Sequence, residues 1–235
     1  MSVRVLADAA ALADAAAADL IAWLRLAITE HGRCDLALSG GRTPAGLFAR
    51  LAAVPLRTAL DATRTHIWFA DERAVPPADP DSNFRLVSET LLVPLAIPTA
   101  NVHRMRGETG DLAAAADAYA AELPERLDLV VLGIGEDGHT ASLFPGSPLV
   151  DERTRRVAAV LDAPKPPPRR LTLTPPALAA ARHVMMLAEG AGKADAVAAA
   201  LAVTGDPRSV PARLVRDRDW YLDPAAAARI PPRAS

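Results

Sequence analysis

A chain of 235 residues that is 51% hydrophobic can bury a substantial core, and its length suits one domain spanning 1–235. A formal net charge of -2 gives no general attraction to nucleic acid, although a local basic pocket can still take a small anion. Cys34 is the only cysteine, which excludes an intrachain disulfide and zinc sites built on several thiolates and fits a reducing, cytoplasmic setting.

Near the N-terminus the alanines are punctuated by Asp8, Asp14 and Asp19, so no secretion signal is expected there. No run of about 20 uninterrupted apolar residues is present to span a bilayer. Residues 8–30 place Leu12, Leu20, Trp23, Leu24 and Ile28 on one face, which predicts an amphipathic helix closed by His31-Gly32. CDLALSGG then reads as a strand with a glycine stop, and TPAGLFARLAAV as a helix with proline in its first turn. The same strand-to-helix order recurs in HIWFADER with SNFRLVSETLL, and in NVHRM with DLAAAADAYAAEL. It returns in RHVMMLAEG with GKADAVAAALA. Alternation of this kind predicts an α/β fold, a mostly parallel sheet covered by helices on both faces. APKPPPRR, residues 163–170, reads as a stiff connector bordering a pocket or an edge.

Four stretches at strand ends could carry chemistry. In LVVLGIGEDGHTASLFPG, Gly133, Gly135 and Gly138 spell G-x-G-x-x-G, the pattern of a dinucleotide-binding turn. Such a turn must run on into a long helix, and HTASLF reaches Pro145 after at most one short helical turn, so no cofactor is expected. The glycines instead leave Asp137 and His139 at the carboxyl edge of the sheet. There a carboxylate can orient an imidazole as a general base, or Asp137 can simply cap the turn TASLF.

SGGRTP, with Ser39, Gly40, Gly41, Arg42 and Thr43, can converge backbone N–H groups on a phosphate at a helix start, or be a plain turn with Thr43 as its cap. The Walker lysine is missing, so a monophosphate suits it better than a nucleotide. In WFADERAV, Asp71 and Glu72 could hold sugar hydroxyls and Arg73 could add positive potential, or the three could form a solvated surface pair. Lys193, in EGAGKADAV, opposes a helix dipole unless an anion sits beside it. It shares with Lys165 the distinction of being a lysine in a chain whose other cations are arginines.

SGGRTP, WFADERAVPPADPDSNFRL, LGIGEDGHTASLFPG, RRLTLT and EGAGKADAV, in this order, resemble the glucosamine-6-phosphate isomerase/6-phosphogluconolactonase family over about Val3 to Trp220. The resemblance implies a Rossmann-like α/β fold and hydrolysis of 6-phospho-D-glucono-1,5-lactone to 6-phosphogluconate, in the oxidative pentose phosphate pathway. It implies a phosphate loop at Ser39, Gly40, Gly41 and Thr43, with Arg170 and Lys193 as cationic partners, and a catalytic segment at Asp137, Gly138 and His139. Where the family often has serine this chain has Arg42, which either adds a phosphate contact or points to solvent. No metal or cofactor is implied. The expected partner is a small sugar phosphate, with a functional link to glucose-6-phosphate dehydrogenase and none to nucleic acid or membrane. The alternatives are the deaminase of the same family and a non-catalytic sugar-phosphate sensor. The deaminase motif DGHIAFNEPG carries a glutamate where this chain has Phe144, and no basic helix-turn-helix of a sensor is visible.

Overall fold

In the computed structural model, which describes residues 2–231, the first helix begins at a cap chosen by the sequence. The Asp8 carboxylate accepts from Ala11 N–H at 2.8 Å, and α1 (Ala9–His31) runs to Gly32. That residue adopts a φ of 87° and returns its N–H to Ile28, a geometry that glycine reaches without a Cβ penalty. Leu12, Leu20 and Leu24 from this helix are buried. Each contributes roughly 1.5–3 kcal/mol relative to exposure.

Six strands form one wholly parallel sheet: β1 (Val3–Val5), β2 (Cys34–Leu38), β3 (Thr65–Phe69), β5 (Leu129–Gly133), β8 (His183–Ala188) and β9 (Asp219–Leu222), in the order β1-β9-β8-β5-β2-β3. All of β2 and the first four residues of β5 are buried, the pattern of strands covered on both faces. From β2 the chain adds β3 on one side and β5 on the other, so the order reverses between β2 and β5. Open α/β sheets bind ligands outside the carboxyl ends of strands at such a reversal.

A second sheet crosses this end. β4 (Asp71–Arg73), β6 (Val157–Val160) and β7 (Arg170–Leu173) pair antiparallel in the order β4-β7-β6. HIWFADER is therefore two strands rather than the expected one: Ala70 ends the run in the parallel sheet and DER continues into the other. NVHRM is not a strand; only Val102 makes a single bridge, to Ile67. TASLF is not helical either. Ala141 has a φ of 48°, and Thr140 bridges Leu143, turning the chain back on itself. The helices α2 (Arg42–Ala52), α3 (Asn83–Val87) and α4 (Leu112–Glu122) fall in the predicted stretches, whereas α5 (Pro175–Ala180) was not foreseen. α6 (Ala194–Leu201) matches the predicted GKADAVAAALA, and α7 (Pro224–Ala227), not foreseen, follows β9.

Candidate active site

Between β2 and α2 lie only Ser39, Gly40 and Gly41. Ser39 N–H donates to Val131 O at 3.0 Å, locking the loop to the neighbouring strand β5. Gly41, with a φ of 108°, occupies the cap position and no side chain caps α2, so the first-turn N–H groups of this 11-residue helix lack an intrahelical partner. Thr43, the cap in the plain-turn alternative, instead lies inside the helix and lines the cavity. Ser39 Oγ is buried and has no hydrogen-bond partner among the described residues, a cost that a bound acceptor would remove. Gly40 is obligatory, because a Cβ there would collide with the Asn83 amide. Lys193 stands at the start of α6 and lines the same cavity. Burial pushes its ammonium below the usual lysine range, with Glu136 acting in the opposite sense.

Beyond β5 the chain closes a tight loop. Gly135 N–H donates to His139 O at 2.8 Å and Gly138 N–H to Gly135 O at 3.0 Å, with Gly138 at a φ of 81°. His139 Nδ1 is 2.5 Å from Asp137 Oδ1, and Lys165 Nζ is 3.1 Å from the same oxygen. Burial alone would raise the Asp137 carboxyl, but the His139 and Lys165 hydrogen bonds and charges outweigh it and hold the group well below the usual carboxylate range. The imidazole lies against the buried Phe144 ring, centroids 4.6 Å apart. With Nδ1 donating to Asp137, Nε2 keeps the lone pair a general base needs. A Cβ on Gly135 would overlap His139 Nδ1 and Asp137 Oδ1, so the chain's own side chains fill the space a dinucleotide turn leaves for pyrophosphate.

The DER residues divide by strand alternation. Asp71 and Arg73 line the cavity, whereas Glu72 does not. The Asp71 carboxylate is buried and accepts from Asn83 Nδ2 at 3.1 Å and Ser142 Oγ at 2.9 Å. Arg73 Nη1 donates to Asp81 O at 2.6 Å, while its Nε is buried and unpaired among the described residues. Contrary to the expectation of a sugar contact, Glu72 is used up on structure. Its carboxylate accepts from the N–H groups of Arg73, Asn83 and Phe84 and from Ser82 Oγ, at 2.7–3.0 Å, and so anchors the start of α3. Burial raises this carboxyl and those bonds oppose the rise.

Arg170 lines the cavity but commits most of its donors to the proline-rich connector. Its Nε donates to Pro167 O at 2.9 Å, and its Nη2 to Lys165 O at 2.9 Å and Pro166 O at 3.1 Å. The clamp brings Lys165 into the site, a residue the motif reading missed. Its signal was its rarity as one of two lysines, the other being Lys193. Asn83, Glu136 and Glu189 also line the cavity unforeseen, while Arg42, the first residue of α2 and a candidate from the SGGRTP motif, lines it too.

The resulting cavity holds about 540 Å³, with Ser39–Thr43 and Lys193 on its wall together with His139, Lys165, Arg73 and Arg170. Cations dominate a wall that also carries the Asp137-paired imidazole, an arrangement that suits an anionic substrate. Among the described residues no three His, Cys, Asp or Glu side chains converge as metal ligands.

Comparison with known proteins agrees with this geometry. Residues 7–222 match the family model described as glucosamine-6-phosphate isomerases/6-phosphogluconolactonase. The chain is 42% identical to a 6-phosphogluconolactonase of Streptomyces coelicolor, over 95% of this chain and 92% of that one. It is 38% identical to the 6-phosphogluconolactonase of Mycobacterium tuberculosis over 98% of both. The solved 6-phosphogluconolactonase from Trypanosoma brucei superposes with a TM-score of 0.87 at 29% identity, covering 98% of each chain. A monomeric glucosamine-6-phosphate deaminase shares the fold, with a TM-score of 0.85 at 20% identity and coverage of 97% of this chain and all of that one. The chain belongs to the glucosamine-6-phosphate isomerase/6-phosphogluconolactonase family.

Proposed function

We propose that His139 is the general base of a 6-phosphogluconolactonase, with Asp137 orienting it and Ser39, Gly40, Gly41, Arg42, Thr43 and Lys193 holding the substrate phosphate. The enzyme hydrolyses 6-phospho-D-glucono-1,5-lactone to 6-phospho-D-gluconate, the second step of the oxidative pentose phosphate pathway. The observation that carries the reading is His139, paired with Asp137, opening on the same cavity as the unpaired Ser39 hydroxyl and Lys193.

His139 Nε2 takes a proton from water as the oxygen adds to the lactone carbonyl, giving a tetrahedral oxyanion. Collapse of that intermediate breaks the bond to the ring oxygen, and the imidazolium returns its proton to the departing alkoxide. The product is the open hydroxy acid, which ionises in water. Of the oxyanion donors to weigh, Gly138 N–H is already bonded to Gly135 O, whereas Arg73 Nε has no partner among the described residues. Phe144 stands where the deaminase motif has its glutamate, and an apolar ring relays no proton, which favours the lactonase over the deaminase.

We further infer one domain over 1–235, a cytoplasmic location, and a functional link to glucose-6-phosphate dehydrogenase through the lactone. No described helix is long and apolar enough to cross a membrane. The test is a coupled assay in which the lactone is generated freshly and its loss followed, spontaneous hydrolysis being subtracted, with glucosamine 6-phosphate run in parallel. Accelerated lactone loss without deamination is expected; the reverse pattern would sink the lactonase reading.

Ser39→Ala and Lys193→Ala should each raise KM several-fold with kcat nearly unchanged, because phosphate contacts remote from the carbonyl are equally strong in ground and transition states. Steady-state kinetics on both variants checks this. Wild-type KM in both would remove the phosphate assignment.

A further inference from the structure

Lys165 is tied to the catalytic pair from outside both motifs. Its Nζ lies 3.1 Å from Asp137 Oδ1 and 3.5 Å from His139 Nδ1, and it also lines the cavity. Its backbone carbonyl is held by Arg170, so the lysine hangs from a braced loop rather than a free one. One carboxylate oxygen therefore serves two cationic or potentially cationic partners.

We propose that Lys165 is a positioning residue for catalysis: by sharing Asp137 Oδ1 with the imidazole it fixes the carboxylate in place and sets a positive charge beside the ring. This rests on the lactonase reading of the site. Two effects follow from the geometry. The ammonium gives the carboxylate a second anchor, which limits its rotation away from Nδ1. The same charge opposes formation of the imidazolium, so the ring gives up its proton to the leaving alkoxide more readily than an Asp–His pair alone would allow.

Other charges also face the ring. Glu136 precedes Asp137 in the same loop, and Asp71, Arg73 and Arg170 stand on the antiparallel sheet. Lys193 and Glu189 follow β8, and Arg42 opens α2. Of the charged side chains among the described residues, only Lys165 makes contact with the pair. Removal of Lys165 acts on the pair by direct contact and on Lys193 only through space.

The experiment compares the full-length wild type with Lys165→Met, Lys165→Gln and Lys165→Arg. It records kcat and KM against pH, the His139 ring titration by NMR in substrate-free protein, and the affinity for 6-phosphogluconate. With Met or Gln, the acid limb of the rate profile and the ring titration should both move up by about one pH unit, the effect of one partly exposed charge a few ångströms away. kcat above the limb should fall about tenfold. KM and product affinity should stay within about twofold of wild type, and Arg should return the limb toward its original place. An unmoved limb and titration would overturn the proposal. So would a raised KM with unchanged kcat, which would make Lys165 a substrate contact. A wild type that does not hydrolyse the lactone would instead remove the lactonase reading, and the NMR titration would still decide whether Lys165 acts on the ring.

Discussion

His139→Gln is expected to fold normally and to bind 6-phosphogluconate nearly as well as wild type, while kcat falls by at least ~10². The ring sits on Phe144 and contributes no hydrogen bond to the phosphate loop, so its loss leaves binding groups untouched. In wild type, kcat/KM should decline at low pH, because a protonated imidazole accepts no proton from water. Asp137 does not cause that decline. Its carboxyl is held far below the usual range, so its charge persists until the pH falls through that low value. Asp137→Asn should act in the same direction as His139→Gln, and the double variant should be no slower than the slower single one, since the two work as a unit. Near-normal kcat in His139→Gln would send the search for a base to Asp71, whose oxygens are already engaged by Asn83 and Ser142.

Gly135→Ala should be nearly as inactive while remaining folded. Gly135 is not among the glycines with positive φ, so the backbone tolerates alanine. The added methyl group instead takes the space of His139 Nδ1 and Asp137 Oδ1, which are side-chain ends and can swing away. The protein thus yields at the catalytic pair rather than in its core. We expect kcat to drop by roughly 10², since displacements near 1 Å at a reacting group have costs of that order. Thermal unfolding should move little, because no buried contact of the sheet is lost. Unchanged kcat would mean that the observed pair is not the working arrangement of the base.

The glycine-marked loops were readable because their physics is local. A strand ending in Gly-Gly before a helix, and a strand ending in Gly-x-Gly before Asp and His, report turns and exposed polar groups without knowledge of the rest of the chain. What escaped depended on distant partners. HIWFADER keeps a strand-like composition throughout, and only pairing of Asp71–Arg73 with β7, about a hundred residues on, divides it. That same pairing turns Glu72 away from the cavity and toward α3. NVHRM has strand-like residues and finds one bridge instead of a ladder. The connector's stiffness could be read from its prolines. Its destination could not, since the Arg170 side chain reaching back to three of its carbonyls sets where Lys165 points.

The loops that begin at Ser39 and Gly133 hang from hydrogen-bonded neighbours, β2 and β5, and Ser39 N–H is itself bonded to Val131 O. Adjacent strands keep a spacing of about 4.8 Å that a buried sheet cannot readily stretch. The separation between the proposed phosphate loop and His139 is thus set chiefly by backbone pairing. On the proposed roles, phosphorylated lactones should be sorted by span: a shorter one would occupy the cradle or meet the base, but not both at once.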